Sequence, residues 1–432
     1  MFFQKDIETM PREELQKLQL EKLKYIAKYC YDNVALYKRK FDEVGFDPAK
    51  IKTLSDIQYI PYTTKADFRD NYPFGMFAVP VKEVVRLHAS SGTTGKPTVV
   101  GYTKNDLDMW SDCMARLVTA AGASDEDIVQ ISFGYGLFTG ALGLHYGLEK
   151  IGATVVPCSS GNTEKQVMLM KDFGTTALVS TPSYALRIGE VAQEMGVSRD
   201  ELKLRLGLFG SEGCTAEMRK QVEDYLGVMA TDNYGMSELI GPGVSGECIY
   251  RNGMHFNEDH FLPEIINPET GEVLPEGEKG ELVFTSLDKE AFPLLRYRTR
   301  DICVLSRKKC SCGRTLIKMS KPMGRTDDML IIRGVNVFPS QIETVLLNEG
   351  YQPNYQIIVD RVNNTDTFEV NVEMSPEQFT DRVGDILAME KDLANAMKTM
   401  LGINPKVHLV APKTIARSEG KAVRVIDKRK LI

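Results

Sequence analysis

The sequence predicts an α/β protein with a large N-terminal α/β body of mostly parallel sheets and a small β-rich subdomain, plus a small mobile α+β C-terminal domain. Three observations support this class. The chain has 432 residues, whereas a single hydrophobic core stops growing at roughly 250–300, so at least two domains are expected. From residue 84 to 330, short apolar runs alternate with helical patterns, as in parallel sheets. Beyond Arg325, strand patterns mix with two amphipathic helical patterns, which favours a separate domain.

Composition and charge exclude several classes of protein. Hydrophobic residues make up 43% and charged residues 26% of the chain, which is ordinary for a folded globular protein. A formal net charge of −6 argues against nucleic acid as the main partner. No apolar run approaches the roughly 18 residues that a membrane span needs, and the first residues lack a signal-peptide core. We therefore expect no membrane partner and a cytoplasmic location. Eight cysteines are too sparse for a disulfide framework.

The first predicted element is an amphipathic helix between Pro11 and Tyr31. Apolar residues recur there at helical spacing, and proline suits a first helical turn. Five apolar runs then predict the strands of the α/β body, and the stretches between them have helical spacing. These runs are residues 127–132, 153–158, 176–182, 204–210 and 228–235.

Turn residues punctuate short strand patterns over residues 251–306, which predicts the β-rich subdomain. In the C-terminal part, a helix is predicted from Pro376 to Leu401. We place a hinge at 324–328. It divides the chain into an N-terminal domain at 1–323 and a C-terminal lid domain at 329–432.

Residues 90–98, SSGTTGKPT, form a loop of glycines and hydroxyls with one lysine. Backbone N–H groups, hydroxyls and a lysine together suit a cradle for phosphates. The loop is not a Walker A motif, because that motif needs glycine in place of Ser90 and a hydroxyl residue in place of Pro97. A Ser/Thr/Gly turn with no ligand is the alternative.

The loop and four later segments, in order, resemble the motifs of the acyl-adenylate-forming superfamily, which includes acyl-CoA synthetases, luciferases and the adenylation domains of peptide synthetases. The later segments are NYGMSE at 233–238, YRTRD at 297–301, GRTDD at 324–328 and SEGK at 418–421. In that superfamily they correspond to the adenine and magnesium motif, the ribose motif, the hinge and the catalytic lysine.

Within the superfamily, the chain is most similar to the phenylacetate–CoA ligases. Residues 133–157, 257–272 and 327–343 carry this likeness. The resemblance implies an ATP-dependent ligase that converts an aromatic, aryl-acetic type of acid into acyl-AMP and then into acyl-CoA, with release of pyrophosphate and AMP. It implies ATP, Mg²⁺ and CoA as cofactors, and the aromatic acid as the substrate.

The resemblance also implies functional residues. Lys421, Glu238 and Thr94 would be catalytic, with Glu238 holding Mg²⁺ and Asp327 forming the pivot of the hinge. The nucleotide-binding residues would be Ser90, Ser91, Gly92, Thr93, Thr94, Gly95, Lys96, Ser211, Glu212, Asp232, Asn233, Tyr234, Gly235, Met236, Ser237, Asp301 and Arg325. Tyr135, Phe138 and Gly213 would bind the acid.

The chemistry of these residue types fits such roles. Tyr234 offers an aromatic face to adenine, Asp301 offers two acceptor oxygens to ribose, and Arg325 offers charge-assisted hydrogen bonds. Three of the site residues also have a plain structural interpretation: Asp301 as a turn or cap residue, Arg325 as a surface ion pair and Glu238 as a solvated surface acid.

The residues of the acid pocket and the catalytic lysine also have alternative interpretations. Tyr135 and Phe138 suit either an apolar slot or ordinary core packing. Gly213 and Cys214 stand where relatives more often have Pro-Trp, which leaves the shape of the pocket open. A lone lysine such as Lys421 is normally exposed, so its role rests on the resemblance.

Cys310 and Cys312 form a tight pair, and Cys248 and His255 precede them. Three thiolates and an imidazole would complete a closed tetrahedral zinc site, and similar sets occur in some ligases that resemble this chain. The alternative is a set of buried free side chains. His260 and Cys303 are substitutes if one ligand is misassigned.

Two other functions stay open at this stage. One is an adenylyltransferase of the coenzyme F390 synthetase kind, which stops at nucleotide transfer. The other is a catalytically silent interaction protein that keeps the fold. The sequence does not fix the oligomeric state, and a homodimer is one possibility.

Overall fold

A computed structural model describes residues 1–90, 97–326, 330–333, 335–362, 365–380, 382–416 and 423–429. Its α-helices are α1 Lys5–Glu8, α2 Arg12–Asn33, α3 Ala35–Val44, α4 Lys65–Asp70, α5 Lys104–Ala121, α6 Gly140–Lys150, α7 Thr163–Phe173, α8 Pro182–Glu194, α9 Ala216–Leu226, α10 Pro339–Asn348 and α11 Val383–Leu401. Short 3₁₀ helices lie at Pro48–Lys50, Leu54–Tyr59, Val81–Glu83 and Arg199–Glu201. No helix in these ranges combines the length and apolar character needed to cross a membrane.

The strands of the N-terminal part are β1 Arg86–Ala89, β2 Val99–Tyr102, β3 Ile128–Ile131, β4 Thr154–Val156, β5 Ala177–Ser180, β6 Leu206–Gly210, β7 Met229–Met236, β8 Gly241–Glu247, β9 Met254–Phe256, β10 Phe261–Ile266, β11 Lys279–Ser286, β12 Tyr297–Ser306 and β13 Lys318–Met319. The C-terminal strands are β14 Leu330–Ile332, β15 Val335–Val337, β16 Tyr355–Val362, β17 Thr365–Glu373, β18 Lys406–Val410 and β19 Val425–Asp427.

One sheet of eleven strands organises the body, in the order β10-β11-β12-β13-β9-β8-β7-β6-β5-β3-β4. The half from β7 to β4 is parallel, as the alternating apolar runs predict. The half from β8 to β10 is antiparallel and contains the predicted β-rich subdomain. The two halves meet where β7 pairs with β6 in parallel and with β8 in antiparallel fashion.

The helix ends follow from local chemistry. Thr103 caps α5 by accepting a hydrogen bond from the N–H of Asp106, and the Asp106 carboxylate in turn accepts one from the Thr103 N–H. The predicted first helix is confirmed as α2. The predicted C-terminal helix ends at Leu401 as expected, but it begins at Val383 rather than Pro376. Ser375 and Gln378 exchange the same reciprocal pair of hydrogen bonds as a helix cap, but only a single turn follows at 376–378, and it does not continue into the helix.

The C-terminal part has its own core. Its sheet has the order β18-β17-β16-β19, and apolar residues from Leu330 to Leu409 bury one another between this sheet, α10 and α11. Helix α10 also touches the body. Leu347, which is 9% exposed, belongs to a buried apolar cluster of the body that includes Met218 and Val222 of α9.

A buried carboxyl group lies at this contact between the two parts. Burial raises the pKa of Glu343 on α10 to about 7, and the negative charge of Glu212 in the body adds to the shift. Arg424 opposes it, with 3.7 Å between its Nη2 and Glu343 Oε2. Tyr355 donates a hydrogen bond to the same carboxyl at 3.4 Å, and Glu217 repels it more weakly.

We predict that Glu343 makes the protein less stable as the pH rises from about 5 to 7.5. Between its unfolded and folded pKa values the native carboxyl keeps a proton that the unfolded chain releases, so rising pH favours unfolding, by about 2 kcal/mol in total. Urea unfolding over a pH series should show this loss in the wild type and a shallower slope in Glu343→Gln. Glu349→Gln, at an exposed position beside the same helix, serves as the control. Equal slopes in all three proteins would contradict the prediction.

Candidate active site

The candidate site lies at the carboxyl ends of the parallel strands, where open α/β sheets bind their ligands. Ser211 follows β6 with a φ of +74°. Next to it, Glu212 reaches the start of α8, where its Oε1 accepts a hydrogen bond from the Ser183 N–H at 2.6 Å. Asn233 on β7 donates to the Phe209 carbonyl at 2.7 Å. The ends of β5, β6 and β7 are therefore held together.

Tyr234, Asp301 and Arg325 form a chain of hydrogen bonds in which Tyr234 and Asp301 are buried and Arg325 is partly exposed. The Tyr234 hydroxyl donates to Asp301 Oδ2 at 2.5 Å, and Arg325 Nη1 lies 3.0 Å from Asp301 Oδ1. Burial, and then the neighbouring carboxylate, raise the pKa of Tyr234, so its hydroxyl stays protonated as a donor. Asp301 is only 5% exposed. Asp301 lies within β12, so its interpretation as a plain turn residue is wrong. Arg325 does form an ion pair with Asp301, and the Arg325 side chain is 26% exposed.

Glu238 lies in the turn between β7 and β8 and is 7% exposed. Its solvated-surface interpretation is therefore wrong. Tyr297 is placed to donate a hydrogen bond to its Oε1, at 3.5 Å. The neighbouring Ser237 hydroxyl lies 3.3 Å from that of Thr139, at the start of α6. These contacts bring the Glu238 turn close to the Asp301 segment on one side and to the loop after β3 on the other.

Asp232 is held by two cations that the sequence analysis missed. Arg219 Nη2 lies 2.8 Å and Lys321 Nζ 2.5 Å from Asp232 Oδ2. Lys321 also donates to the Cys214 carbonyl at 3.0 Å, next to Gly213. A Cβ at Gly213 would meet no heavy atom within 4 Å, so this loop borders open space. The paired residues are separated in the sequence, so no local pattern predicts these contacts.

Tyr135 and Phe138 lie in the loop between β3 and α6, and the Leu137 carbonyl of this loop accepts a hydrogen bond from the Ala89 N–H at 3.0 Å, at the end of β1. Phe138 is 49% exposed, so its core-packing interpretation is wrong, whereas Tyr135 is half-buried. The Tyr135 hydroxyl lies 3.0 Å from His145 Nδ1, and His145 Nε2 lies 2.9 Å from Glu149 Oε1. The sequence analysis missed His145 and Glu149.

Ser90 and Thr98 form the stem of the glycine-rich loop. Their backbones bond at 3.0 Å, and the Thr98 N–H donates to Ser90 Oγ at 2.9 Å. The stem joins β1 to β2, which pair in antiparallel fashion. Residues Ser91 to Lys96, Asp327 and Lys421 lie outside the described residues.

Cys248, His255, Cys310 and Cys312 are brought together, with all four donor atoms within 4.8 Å of one another. Cys248 Sγ lies 3.6 Å from Cys310 Sγ, and Cys312 Sγ lies 3.4 Å from His255 Nε2. The Zn–S and Zn–N lengths of a tetrahedral zinc site place neighbouring ligand atoms about 3.5–3.8 Å apart. His255 Nδ1 faces the Leu316 carbonyl at 3.4 Å, which directs Nε2 toward the thiols. The substitutes His260 and Cys303 are not part of this set.

Comparisons with known proteins place these features in a family. A sequence model of the AMP-binding enzymes matches residues 16–287, and a model of the C-terminal domain of AMP-binding enzymes matches residues 334–429. The phenylacetate-coenzyme A ligase of Thermus thermophilus is 50% identical to this chain over 445 residues, which cover 100% of both proteins. The phenylacetate-coenzyme A ligase of Escherichia coli is 49% identical over 429 residues, covering 99% of this chain and 98% of that one.

Among solved structures, 2-hydroxyisobutyryl-CoA ligase in its postadenylation state, with a bound acyl-AMP, matches with a TM-score of 0.91 at 28% identity. That match covers 98% of this chain and 92% of the other. The same ligase in its thioesterification state, with CoA, matches with a TM-score of 0.74 at 29% identity, over 99% and 93% of the two chains. As a whole, this chain therefore superposes better on the postadenylation arrangement.

Proposed function

The chain belongs to the AMP-binding enzymes and, within them, to the phenylacetate–CoA ligases, and from this premise we propose that it activates an aryl-acetic acid at the site described above. It is an AMP-forming acid–CoA ligase. It first joins the acid to the AMP portion of ATP, which gives acyl-AMP and releases pyrophosphate. It then transfers the acyl group to CoA and releases AMP. The Tyr234–Asp301–Arg325 chain of hydrogen bonds, with the buried Glu238 nearby, is the observation that carries our assignment of the nucleotide site.

Asp301 is the proposed ribose-binding residue. Arg325 and Tyr234 hold its carboxylate in one orientation, which prepares the site for a ligand without further ordering. The backbone from Asp232 to Ser237 and the loop at Ser211 and Glu212 would border the adenine. Catalysis of adenylation is mainly charge neutralisation and in-line positioning, so donors held in place before the nucleotide arrives are suited to it.

Glu238 is the proposed Mg²⁺ ligand. It is buried, and Tyr297 is its one hydrogen-bond partner among the described residues, which leaves carboxylate oxygens available to a hard cation. When bound, Mg²⁺ would neutralise charge on the phosphates. Ser90 to Lys96, including Thr94, would hold the β- and γ-phosphates, and Lys421 would contact the acid carboxylate and the α-phosphate.

Tyr135, Phe138 and Gly213 are the proposed contacts of the acid. Two partly or largely exposed aromatic rings in one loop, and open space beside Gly213, suit a flat aryl group. The link from Tyr135 to His145 and Glu149 fixes the orientation of the tyrosine ring.

Residues 324–328 form the proposed hinge, with Asp327 as the pivot between domains at 1–323 and 329–432. The separate C-terminal core and the small contact at Leu347 support this division. So does the difference between the two TM-scores, because the two states of the related ligase match this chain to different extents. A cytoplasmic location and a homodimer stay predictions.

Cys248, His255, Cys310 and Cys312 are the proposed ligands of a structural zinc ion. Four protein ligands leave no open position for a substrate, so the ion would stabilise the fold rather than react.

From the proposed function, we expect activity toward phenylacetate and its hydroxylated forms. Pyrophosphate release should be measured with phenylacetate, hydroxyphenylacetates, indoleacetate, benzoates and aliphatic acids, each with and without CoA. We expect the highest rates with the aryl-acetic acids, and a thioester product only with CoA. A product that forms with ATP alone and is unchanged by CoA would instead favour the adenylyltransferase. No acid-dependent release with any acid would favour the silent interaction protein.

Lys421→Ala should slow adenylation by about 10²–10³-fold, because a preorganised cation at developing charge contributes roughly that much. Thioester formation from supplied acyl-AMP should stay within a few-fold of the wild type, since CoA attack uses another domain orientation. Lys428→Ala, at an exposed lysine near the same end of the chain, is the control. An equal loss of both half-reactions in a folded Lys421→Ala protein would refute the assignment.

Elemental analysis of tag-free protein should find one zinc per chain. Cys312→Ser should lower both the zinc content and the melting temperature, because the binding energy of a structural zinc is folding energy. Cys158→Ser, at a free cysteine outside the set, should change neither. Wild-type protein that is metal-free after mild purification would remove the zinc proposal.

A further inference from the structure

Lys289 is a buried lysine in the loop between β11 and β12. Its side chain is among the largest that are fully buried, and the residue is 1% exposed. The ammonium group donates a hydrogen bond to the Leu239 carbonyl. It also lies 4.5 Å from the centre of the Tyr102 ring and 5.4 Å from that of Phe292. Lysine is almost never fully buried without a partner, so this position calls for a reason.

No carboxylate of the described residues forms an ion pair with Lys289 within 4.0 Å. Asp106 and Glu238 are the acids that act on its charge from farther away, and burial outweighs them and lowers the pKa of Lys289 to about 8. The Asp106 carboxylate already accepts hydrogen bonds from the Glu290 and Ala291 N–H groups, at 2.7 and 3.0 Å. A buried cation without a close counter-charge costs free energy, and an apolar side chain of similar volume would often be no less stable.

The contacts of Lys289 join two segments of the proposed nucleotide site. Tyr102 ends β2, the strand that leaves the glycine-rich loop, and Leu239 directly follows Glu238. The Lys289 loop is itself fixed, because Glu290 accepts a hydrogen bond from the Thr103 hydroxyl at 2.7 Å, at the start of α5. Lys289 therefore extends from a rigid base to the far side of the turn that carries Glu238.

We propose that Lys289 is a positioning residue for adenylation: by holding the Leu239 carbonyl, it fixes the turn that presents Glu238 to the metal–nucleotide complex. This inference rests on the proposed role of Glu238. Lys289 does not touch the reacting atoms in this scheme. It acts through the backbone next to Glu238, and its effect belongs to the step that releases pyrophosphate.

Lys289→Met tests the proposal, because methionine keeps an unbranched apolar side chain and removes the donor. Mn²⁺ binding in the presence of ATP and without acid, measured by electron paramagnetic resonance, should weaken about 10- to 100-fold, as is typical when a group that orients a metal ligand is lost. The rate of pyrophosphate release should fall over a similar range. Thioester formation from supplied acyl-AMP should change less than two-fold.

Lys40→Met is the matched control. Lys40 also donates to a main-chain carbonyl, that of Tyr62, but it pairs with Asp67 and lies outside the proposed site. It should leave Mn²⁺ binding and both half-reactions unchanged. If Lys289→Met does not fold, as judged by its melting curve, Lys289→Gln is measured in the same way. The same loss is expected, because the shorter glutamine side chain does not reach the carbonyl.

Glu238→Gln separates this inference from the function on which it rests. If Glu238→Gln leaves Mn²⁺ binding intact, the role of Glu238 is wrong and the inference falls with it. If Glu238→Gln weakens binding and folded Lys289→Met does not, the inference alone is overturned. If both weaken it, the double variant should bind Mn²⁺ no more weakly than Glu238→Gln alone, since both changes act on one group. Fully additive losses would also overturn the inference.

Discussion

The tight passage from β7 into β8 is the constraint on which the rest of the site depends. A Cβ at Gly235 would lie 1.7 Å from the Gly241 carbonyl oxygen, so any side chain there would push the strands apart. Gly241 also has a φ of +86°, which favours glycine. Because the chain can reverse here, β7 has a parallel neighbour on one side and an antiparallel neighbour on the other. The same reversal places Glu238 within reach of Tyr297 on β12.

Much of the fold could be predicted from local patterns. The period of the apolar runs indicates the parallel strands, and the glycine-rich loop and the segment around Tyr234 indicate the proposed nucleotide site. The partners of these segments could not be found in this way. Tyr234 and Asp301 are 67 residues apart in sequence, and no pattern near either residue predicts their hydrogen bond. Lys289 carries no motif at all, and its burial emerges only when the antiparallel half of the sheet is assembled.

The proposed zinc ligands lie in a part of the molecule that fastens the N-terminal segment to the sheet. Arg314, just after the Cys310–Cys312 pair, forms an ion pair of 2.6 Å with Glu8, and both residues are almost fully buried. Its guanidinium also lies over the Phe2 ring at 4.8 Å. A buried pair of this kind is costly to break on one side only. The Cys–His set and the first helical turns of the chain therefore stabilise each other. This part of the molecule is separate from the candidate active site at the strand ends.

The small apolar contact at Leu347 has a kinetic consequence. Burying one leucine side chain contributes about 1.5–3 kcal/mol, and each 1.4 kcal/mol is a factor of about ten in an equilibrium constant. One such side chain thus favours the docked arrangement, yet it is weak enough to be released within the proposed catalytic cycle. A larger patch would lengthen the residence time of the lid and make its departure the slowest step. Gln352 also lies within hydrogen-bonding distance of the Tyr225 hydroxyl, at 3.5 Å, and Lys413 Nζ lies 3.7 Å from Glu194 Oε1. Contacts of this modest strength would leave both proposed orientations available to a working enzyme.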